Sequence, residues 1–457
     1  MKRDWRRLRD DARAIWSAGL AAVDSARLVR DAIEVTGDSL RIDDLLFPLD
    51  TLDRIVVVGG GKAGAGMAAG VVDALGDPLR HRPELRGWLN VPDDCVRPLP
   101  HITLFGARPP GRNEPTERGV EGTSEILRIV ESLGPRDLCL CLLSGGGSAL
   151  LPAPAAGITL DDKLALTRYL AAAGANILEL NTVRKHLSRI KGGRLAARCR
   201  AGHLVTLVIS DVLGDPLDVI ASGPTVDDPS TAEDALRVLD AFGARGVAPC
   251  ATDLLERLAR RDPAPTRAVR HVENRVIGNI ARAVDAAGEE AERLGYRHAM
   301  IAATRLEGDA ESVGEHLAEI AERMLAEDGP DCLVSGGEPT VRLAAPEIRG
   351  VGGRNQQLVL AAYARLARSR SRLPSPCQDL VILSGGTDGE DGPTDAAGAW
   401  IDEPSAAEIV RNGWDADDAL ARNDAYPFFA RLGTLIKTGP THTNVCDVRV
   451  VLAARER

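Results

Sequence analysis

The hydrophobic pattern along this chain is a repeated collision. Runs of apolar β-formers meet glycine and then Ser, Lys or Asp: IVVVGGGKAG from Ile55, LCLLSGGGSAL from Leu140, LVISDVLGD from Leu207, CLVSGGE from Cys332 and VILSGGTDGEDGPTD from Val381. An unbroken apolar run ending in glycine predicts a buried parallel strand leaving its sheet, and open α/β proteins bind ligands beyond the carboxyl ends of such strands. Five junctions of this kind predict a large site for a charged ligand.

Between these runs the spacing turns helical. The pattern predicts a strand over 55–59, a helix over 62–75, short strands near 87–91 and 102–105, a helix over 116–132 and a strand over 137–143. Helices near 161–173 and 175–198, a strand over 203–209 and further helices to about residue 260 follow. RRDPAPTRA from Arg260 reads as a linker. After it, strands over 271–277, 298–302, 331–335, 340–344 and 379–383 alternate with helices over 279–294, 310–326 and 355–369. The expected fold is α/β with two domains, residues 1–263 and 264–457, each a largely parallel sheet flanked by helices, with the site in the interdomain cleft. The opening segment reads as an amphipathic helix covering a core, without the apolar stretch of a signal peptide, and no run approaches the roughly 18 apolar residues of a membrane span.

Composition narrows the chemistry. Aromatic residues make up 3% of the 457 residues, so the cores are built from Val, Leu, Ile and Ala, and rings for stacking single-stranded nucleic acid are scarce. A formal net charge of -10 gives no general basic field, which argues against nucleic acid as a partner. The eight cysteines show no metal-type pairs and read as small buried hydrophobes in a reducing cytoplasm. Lysine is the sharper signal. Only six of the 56 basic residues are lysine, yet Lys62, Lys185, Lys191 and Lys437 lie in glycine-rich or polar motifs, where a compact point charge suits a crowded phosphate site.

GGGKAGAG follows a strand and opens a helix, so the amides of Gly59, Gly60 and Gly61 can cradle an anion beside Lys62. It satisfies GxGxxG but is no Walker A loop, and a plain strand-to-helix turn with a solvated lysine is the competing reading. Ser144, Gly145, Gly146, Gly147 and Ser148 offer hydroxyls and amides to a phosphate, while three glycines before Ser148 spoil a nucleophile elbow. Asp211 and Asp215 past one strand, and Asp388, Asp391 and Asp395 past another, suit hydrated Mg²⁺ or a base for a hydroxyl, with Asp-Gly turns as the duller alternative. Arg354 begins a helix and can grip carboxylate or phosphate with two hydrogen bonds. The cations of NTVRKHLSRIKGGRLAARC from Asn181 read mostly as a solvated helix face, and His186 as readily a packing residue as a catalytic one.

Together these motifs resemble the class II glycerate 2-kinases, the family with a C-terminal MOFRL domain. The resemblance rests on GGGKA at Gly59, LLSGGGSAL at Leu142, NTVRKHLSRIKGGRLA at Asn181, SDVLGDPLDVIASGPTVDDPST at Ser210, SGGEPTV at Ser335, GGRNQ at Gly352, SGGTDGEDGPTDAAGA at Ser384 and TGPTHTNVCD at Thr438. It implies ATP- and Mg²⁺-dependent phosphorylation of the 2-hydroxyl of D-glycerate, with Lys62 and Arg354 as the candidate catalytic residues, and the reading of the acidic loops adds Asp211 to that catalytic set. On the same motifs Lys191, Glu338, Asn355, Thr443 and Asn444 join the two glycine loops as binding residues, and Asp215, Asp388 and Asp391 become the metal ligands. Two departures bear on the acceptor. ARPPGRNE at Ala107 lacks the family's usual histidine and has Asn113 for aspartate, and His442 replaces a usual glycine. If the first loop touches the acceptor, another hydroxy acid would be preferred.

Two other readings compete. An NAD(P)-dependent hydroxypyruvate reductase needs an acidic ribose-binding residue after the next strand, where Asp93 and Asp94 follow Pro92. A non-catalytic sensor of a phosphorylated hydroxy acid would have little use for Lys62, Arg354 and the acidic loops together.

Overall fold

The computed structural model describes residues 3–76, 79, 83–109, 111, 114–261 and 272–455. The expected boundary at 263 and 264 lies outside the described residues, as do Pro110, Arg112 and Asn113 of the ARPPGRNE segment. The chain forms two compact units, Ser25–Ile277 and a second made of Met1–Asp24 with Gly278–Arg457. The discontinuity comes from α1 (Trp5–Ala22), which buries Leu8, Ala12, Ile15 and Trp16. At Gly19 a Cβ would sit 2.7 Å from the Ala283 carbonyl, so α1 lies backbone-close on the C-terminal unit.

Six strands build the Ser25–Ile277 unit: β1 (Arg54–Gly60), β2 (Glu84–Pro92), β3 (Ile102–Arg108), β4 (Asp137–Ser144), β5 (His203–Ile209) and β6 (Val272–Gly278). Their order is β3-β2-β1-β4-β5-β6, and neighbours from β3 through β5 pair in parallel. β4 is buried at every residue and β1 at all but its first, as apolar runs covered on both faces should be. Helices α2 (Gly64–Leu75) and α3 (Glu117–Glu131) pack against this sheet through Met67, Val71, Ile126 and Val130. The strand order reverses direction between β1 and β4, which puts the ligand crevice of an open α/β sheet beyond Gly60 and Ser144.

Two local features depart from the linear pattern. Three short antiparallel strands, Ile33–Thr36, Ser39–Ile42 and Leu45–Pro48, precede β1; at four residues each and half exposed, they carry too few alternations to register as strands. The helix expected over 175–198 is broken. After α4 (Leu160–Ala172), α5 (Ile177–His186) ends and the chain turns through the left-handed pair Gly192 and Gly193 before a short helix, Arg194–Arg198.

The second unit corrects the expectation of another largely parallel sheet. Its strands β7 (His298–Ala302), β8 (Cys332–Gly337), β9 (Leu380–Gly386), β10 (Gly398–Asp402), β11 (Leu435–Ile436) and β12 (Asp447–Ala453) lie in the order β7-β8-β12-β9-β10-β11. Among the described residues only β7 and β8 pair in parallel; the final strand inserts antiparallel between β8 and β9. An apolar run announces burial but not direction, and β12 is buried throughout. The strand expected over 340–344 reduces to a single bridge between Thr340 and Asp309.

Helices α6 (Ile280–Arg293), α7 (Ala310–Ala326) and α8 (Arg354–Ser369) belong to this unit, and three shorter ones, Glu403–Asn412, Ala416–Ala421 and Ala425–Leu432, follow them. Insertion of β12 sets Asp447 opposite both Gly337 and Gly386, so the SGGE, SGGTDG and THTNVCD motifs meet at one end of the sheet. One glycine there serves packing: a Cβ on Gly385 would meet the Trp16 ring at 3.0 Å, and Trp16 Nε1 donates to the Gly385 carbonyl at 3.2 Å. No helix among the described residues is long and apolar enough to cross a membrane.

Candidate active site

At the carboxyl ends of β1 and β4 the two glycine loops are pinned together. Lys62 N donates to the Gly145 carbonyl at 2.8 Å, and Ala63 N to Ser144 Oγ at 3.0 Å. Only glycine fits at position 61, because a Cβ there would collide with Ser144 Oγ. Ser144 is thus a buried clasp between loops, its hydroxyl turned to backbone. Gly146 adopts a left-handed φ of 76°, and the place its Cβ would occupy is 3.3 Å from both Lys62 Cγ and Arg108 Nη2. A second cation, Arg108, therefore flanks the SGGG loop with Lys62. Sequence reasoning marked its segment as divergent but not Arg108 itself; its position at the end of β3 was the available signal.

Ser148 and Lys191 belong to a second layer. Lys191 Nζ donates to Ser148 Oγ at 2.8 Å, to the Ser148 carbonyl at 3.2 Å and to Ser222 Oγ at 3.2 Å, while Ser222 Oγ reaches Asn181 Oδ1 at 3.2 Å. Ala221, Ser222 and Gly223 have φ of 50°, 60° and 59°, a left-handed run that non-glycine residues adopt at a cost of order 1–2 kcal/mol each. This strained turn presents the oxygens that Lys191 binds. Burial, reinforced by Arg184, Lys163 and Lys185, holds the Lys191 pKa well below the ordinary lysine range. The expectation of a solvated face over NTVRKHLSRIKGG fails here, since Lys185, His186 and Lys191 are all buried. Asp211 and Asp215 lie half-buried in the turn beyond β5, Asp215 with a left-handed φ of 53°.

In the other unit, Arg354 opens α8 and is gripped by two carboxylates. Its Nε and Nη2 donate to Asp447 at 2.7 and 3.0 Å, and Nη1 to Glu338 Oε1 at 2.7 Å. Burial opposes the guanidinium charge, but Asp447 and Glu338 outweigh it and raise the Arg354 pKa. Asp391 anchors the same helix start: Oδ1 accepts from Asn355 N and Nδ2 at 3.0 and 3.2 Å, and Oδ2 from Gln356 N at 2.9 Å. Burial pushes its pKa up, helped by the Asp447 charge and opposed by these donors, to about 7. Asn355 Oδ1 in turn accepts from Ser384 Oγ at 2.5 Å. Thr443 Oγ1 donates to the Val23 carbonyl at 2.6 Å, tying the last motif to the end of α1, and Asn444 Oδ1 accepts from Cys446 N at 3.3 Å. Asp388 is half-buried, with Oδ1 accepting from Glu390 N at 3.1 Å.

The structure thus gathers Gly59–Gly61, Lys62 and Ser144–Gly147 at one junction, with Ser148 and Lys191 behind it. It gathers Glu338, Arg354, Asn355, Asp391 and Asp447 at another, within the second unit. Asp447 was missed because its motif was read through Thr443 and Asn444. Among the described residues no group of three or more His, Cys, Asp or Glu is placed to hold a metal ion. Mg²⁺ usually keeps several waters and takes one or two carboxylates plus phosphates, a demand that half-buried Asp215 and Asp388 fit better than Asp391, whose oxygens face α8. Asp93 stands just past β2, where a dinucleotide enzyme places its ribose carboxylate, but it pairs with Arg118 at 3.2 Å.

The chain is similar to known proteins along nearly its whole length. A family model described as a domain of unknown function (DUF4147) matches residues 11–256, and the MOFRL family model matches residues 331–447. A glycerate kinase of Bos taurus is 37% identical over 499 residues, covering 96% of this chain and 92% of the relative. A D-glycerate 2-kinase of Thermotoga maritima is 36% identical, covering 93% and 96%. The crystal structure of glycerate kinase from Thermotoga maritima superposes with a TM-score of 0.83 at 34% identity, over 98% of this chain and 100% of that one. The chain belongs to the glycerate kinase family.

Proposed function

We propose that this protein is a glycerate 2-kinase that transfers the γ-phosphoryl group of ATP to the 2-hydroxyl of D-glycerate. The observation that carries the reading is the clasped pair of glycine loops, with Lys62 and Arg108 flanking Gly146 at the switch point of the sheet, in a chain whose relatives bear that activity. Phosphoryl transfer needs little covalent work from a protein, so positioning and charge neutralisation carry it. The loop amides and Lys62 meet that need for a phosphate or carboxylate group. Arg354, held rigid by Asp447 and Glu338, stabilises charge during transfer, and Asp211 orients the acceptor hydroxyl. Mg²⁺, when bound, would neutralise phosphate charge, and Asp215 in the Ser25–Ile277 unit and Asp388 in the C-terminal unit are separate candidates to hold it. The test is ADP release with Mg-ATP across a panel of hydroxy acids including both glycerate enantiomers. NADH oxidation with hydroxypyruvate and no ADP release would point instead to the reductase.

A further inference from the structure

Arg449 sits 1% exposed within β12, where its neighbours Val448, Val450 and Val451 are fully buried. A guanidinium in such a strand is costly to bury and needs an answering charge. Glu307, on the loop between β7 and α7, supplies it: Arg449 Nη1 and Nη2 donate to its two carboxylate oxygens at 2.8 and 2.7 Å. Backbone bonds stitch that loop to the end of β8 independently of the pair. Ala303 N donates to the Gly336 carbonyl at 2.8 Å, and Thr340 N to the Gly308 carbonyl at 2.9 Å.

The sheet register sets this ion pair beside the clamp on Arg354. Gly337 lies directly opposite Asp447 in the antiparallel pairing of β8 with β12, so side chains at the two positions share a face. Gly337 has none, and the Glu307 carboxylate takes the space, where a Cβ would collide with it. Arg449, two residues along β12 from Asp447, projects from that same face about 6.6 Å further along the strand. Asp447 therefore has two guanidinium groups within side-chain reach, yet both of its oxygens accept from Arg354. Among the described residues Arg449 Nε still meets no acceptor.

We propose that Glu307 is a positioning residue for phosphoryl transfer: by occupying Arg449 it keeps that guanidinium off Asp447 and leaves both Asp447 oxygens to fix Arg354. Without Glu307 the buried charge of Arg449 is uncompensated, and Asp447 is the carboxylate on its own strand and face that can answer it. The inference deepens the kinase reading and rests on it for its kinetic arm alone.

Three variants separate this competition from a plain structural ion pair: Glu307→Gln, Arg449→Met and the two combined. In Glu307→Gln, kcat for ADP release with Mg-ATP and D-glycerate should fall by about tenfold or more, while KM for either substrate changes by less than about threefold. Arg449→Met should stay within about threefold of wild-type kcat, and adding it to Glu307→Gln should restore kcat to that level, because no buried guanidinium then draws on Asp447. A pair that only held the loop would weaken both single variants alike and give no rescue. Wild-type kcat in Glu307→Gln, or a double variant as slow as Glu307→Gln, would overturn the proposal.

A second readout needs no turnover. The coupling between Asp447→Asn and Arg354→Gln, measured by urea unfolding, should shrink to less than about half in the Glu307→Gln background and return when Arg449→Met is added. Coupling of full size in Glu307→Gln would overturn the proposal whatever the kinetics. If the wild type releases no ADP with any hydroxy acid, the kinase reading falls, and the unfolding arm alone decides whether Glu307 holds Arg449 away from Asp447.

Discussion

Replacing Asp447 by asparagine removes one charge and one acceptor from the clamp on Arg354 while keeping the side-chain shape. In the wild type both Asp447 oxygens accept from Arg354, at 2.7 and 3.0 Å, and Asp447 is fully buried. The amide can accept from one of these donors and must turn its own NH₂ toward the other. One charge-assisted hydrogen bond, worth about 1.5–3 kcal/mol, is lost and the second falls to a neutral-acceptor bond of about 1 kcal/mol. Against this, a buried carboxylate no longer has to be desolvated, and repulsion of Asp391 by Asp447 disappears. The net expectation is a destabilisation of about 2 kcal/mol by urea unfolding. Arg354, left with Glu338, should lose its fixed orientation, lowering kcat for ADP release by about 10–100-fold with a smaller change in KM. A double-mutant cycle with Arg354→Gln isolates the pair and should return a coupling of about 2 kcal/mol. A stability within about 0.5 kcal/mol of wild type together with unchanged turnover would refute the claim that this clamp positions Arg354.

Three further outcomes are expected. Lys62→Ala should lower turnover by on the order of 10²-fold without unfolding the chain, because the loop clasp is made by backbone and Ser144 rather than by the ammonium; near-normal turnover would remove Lys62 from the chemistry. Asp388→Asn should raise the Mg²⁺ concentration for half-maximal ADP release, and an unchanged metal dependence would leave Asp388 as a turn residue. Asp391 carries a pH signature: its folded-state pKa is raised to about 7, so its contribution to stability is full below the unfolded value near 4 and is lost as pH rises through about 7, on the order of 4 kcal/mol at most. Asp447→Asn should shallow that fall in denaturation experiments between pH 4 and 8, and an identical pH slope in both proteins would contradict the assignment.

Much of this architecture is legible in the chain because apolar runs and glycine act locally. The strands ending at Gly60 and Ser144 announce themselves as unbroken hydrophobic stretches, and the glycines after them mark the crevice. What escapes is set by partners distant in sequence. The first helix reads as amphipathic, but nothing in its own pattern says that Trp16 covers Gly385 of the C-terminal unit. The final strand reads as apolar, yet its antiparallel insertion, which delivers Asp447 to Arg354, is a property of the sheet as a whole. Cations mislead most. Lys185 and Lys191 look solvated by composition and are buried by the left-handed turn at Ala221–Gly223 and by the helix break at Gly192 and Gly193, neither of which a helical spacing rule anticipates.

The central claim is transfer to the 2-hydroxyl of D-glycerate, and the product decides it. Purified protein is incubated with Mg-ATP and D-glycerate, and the mixture is passed to enolase and pyruvate kinase with no mutase added. The account predicts ADP release matched by onward conversion to pyruvate, because only 2-phosphoglycerate is a substrate for enolase. ADP release that yields pyruvate only after phosphoglycerate mutase is supplied would show transfer to the 3-hydroxyl and contradict it, as would the absence of ADP release with D-glycerate.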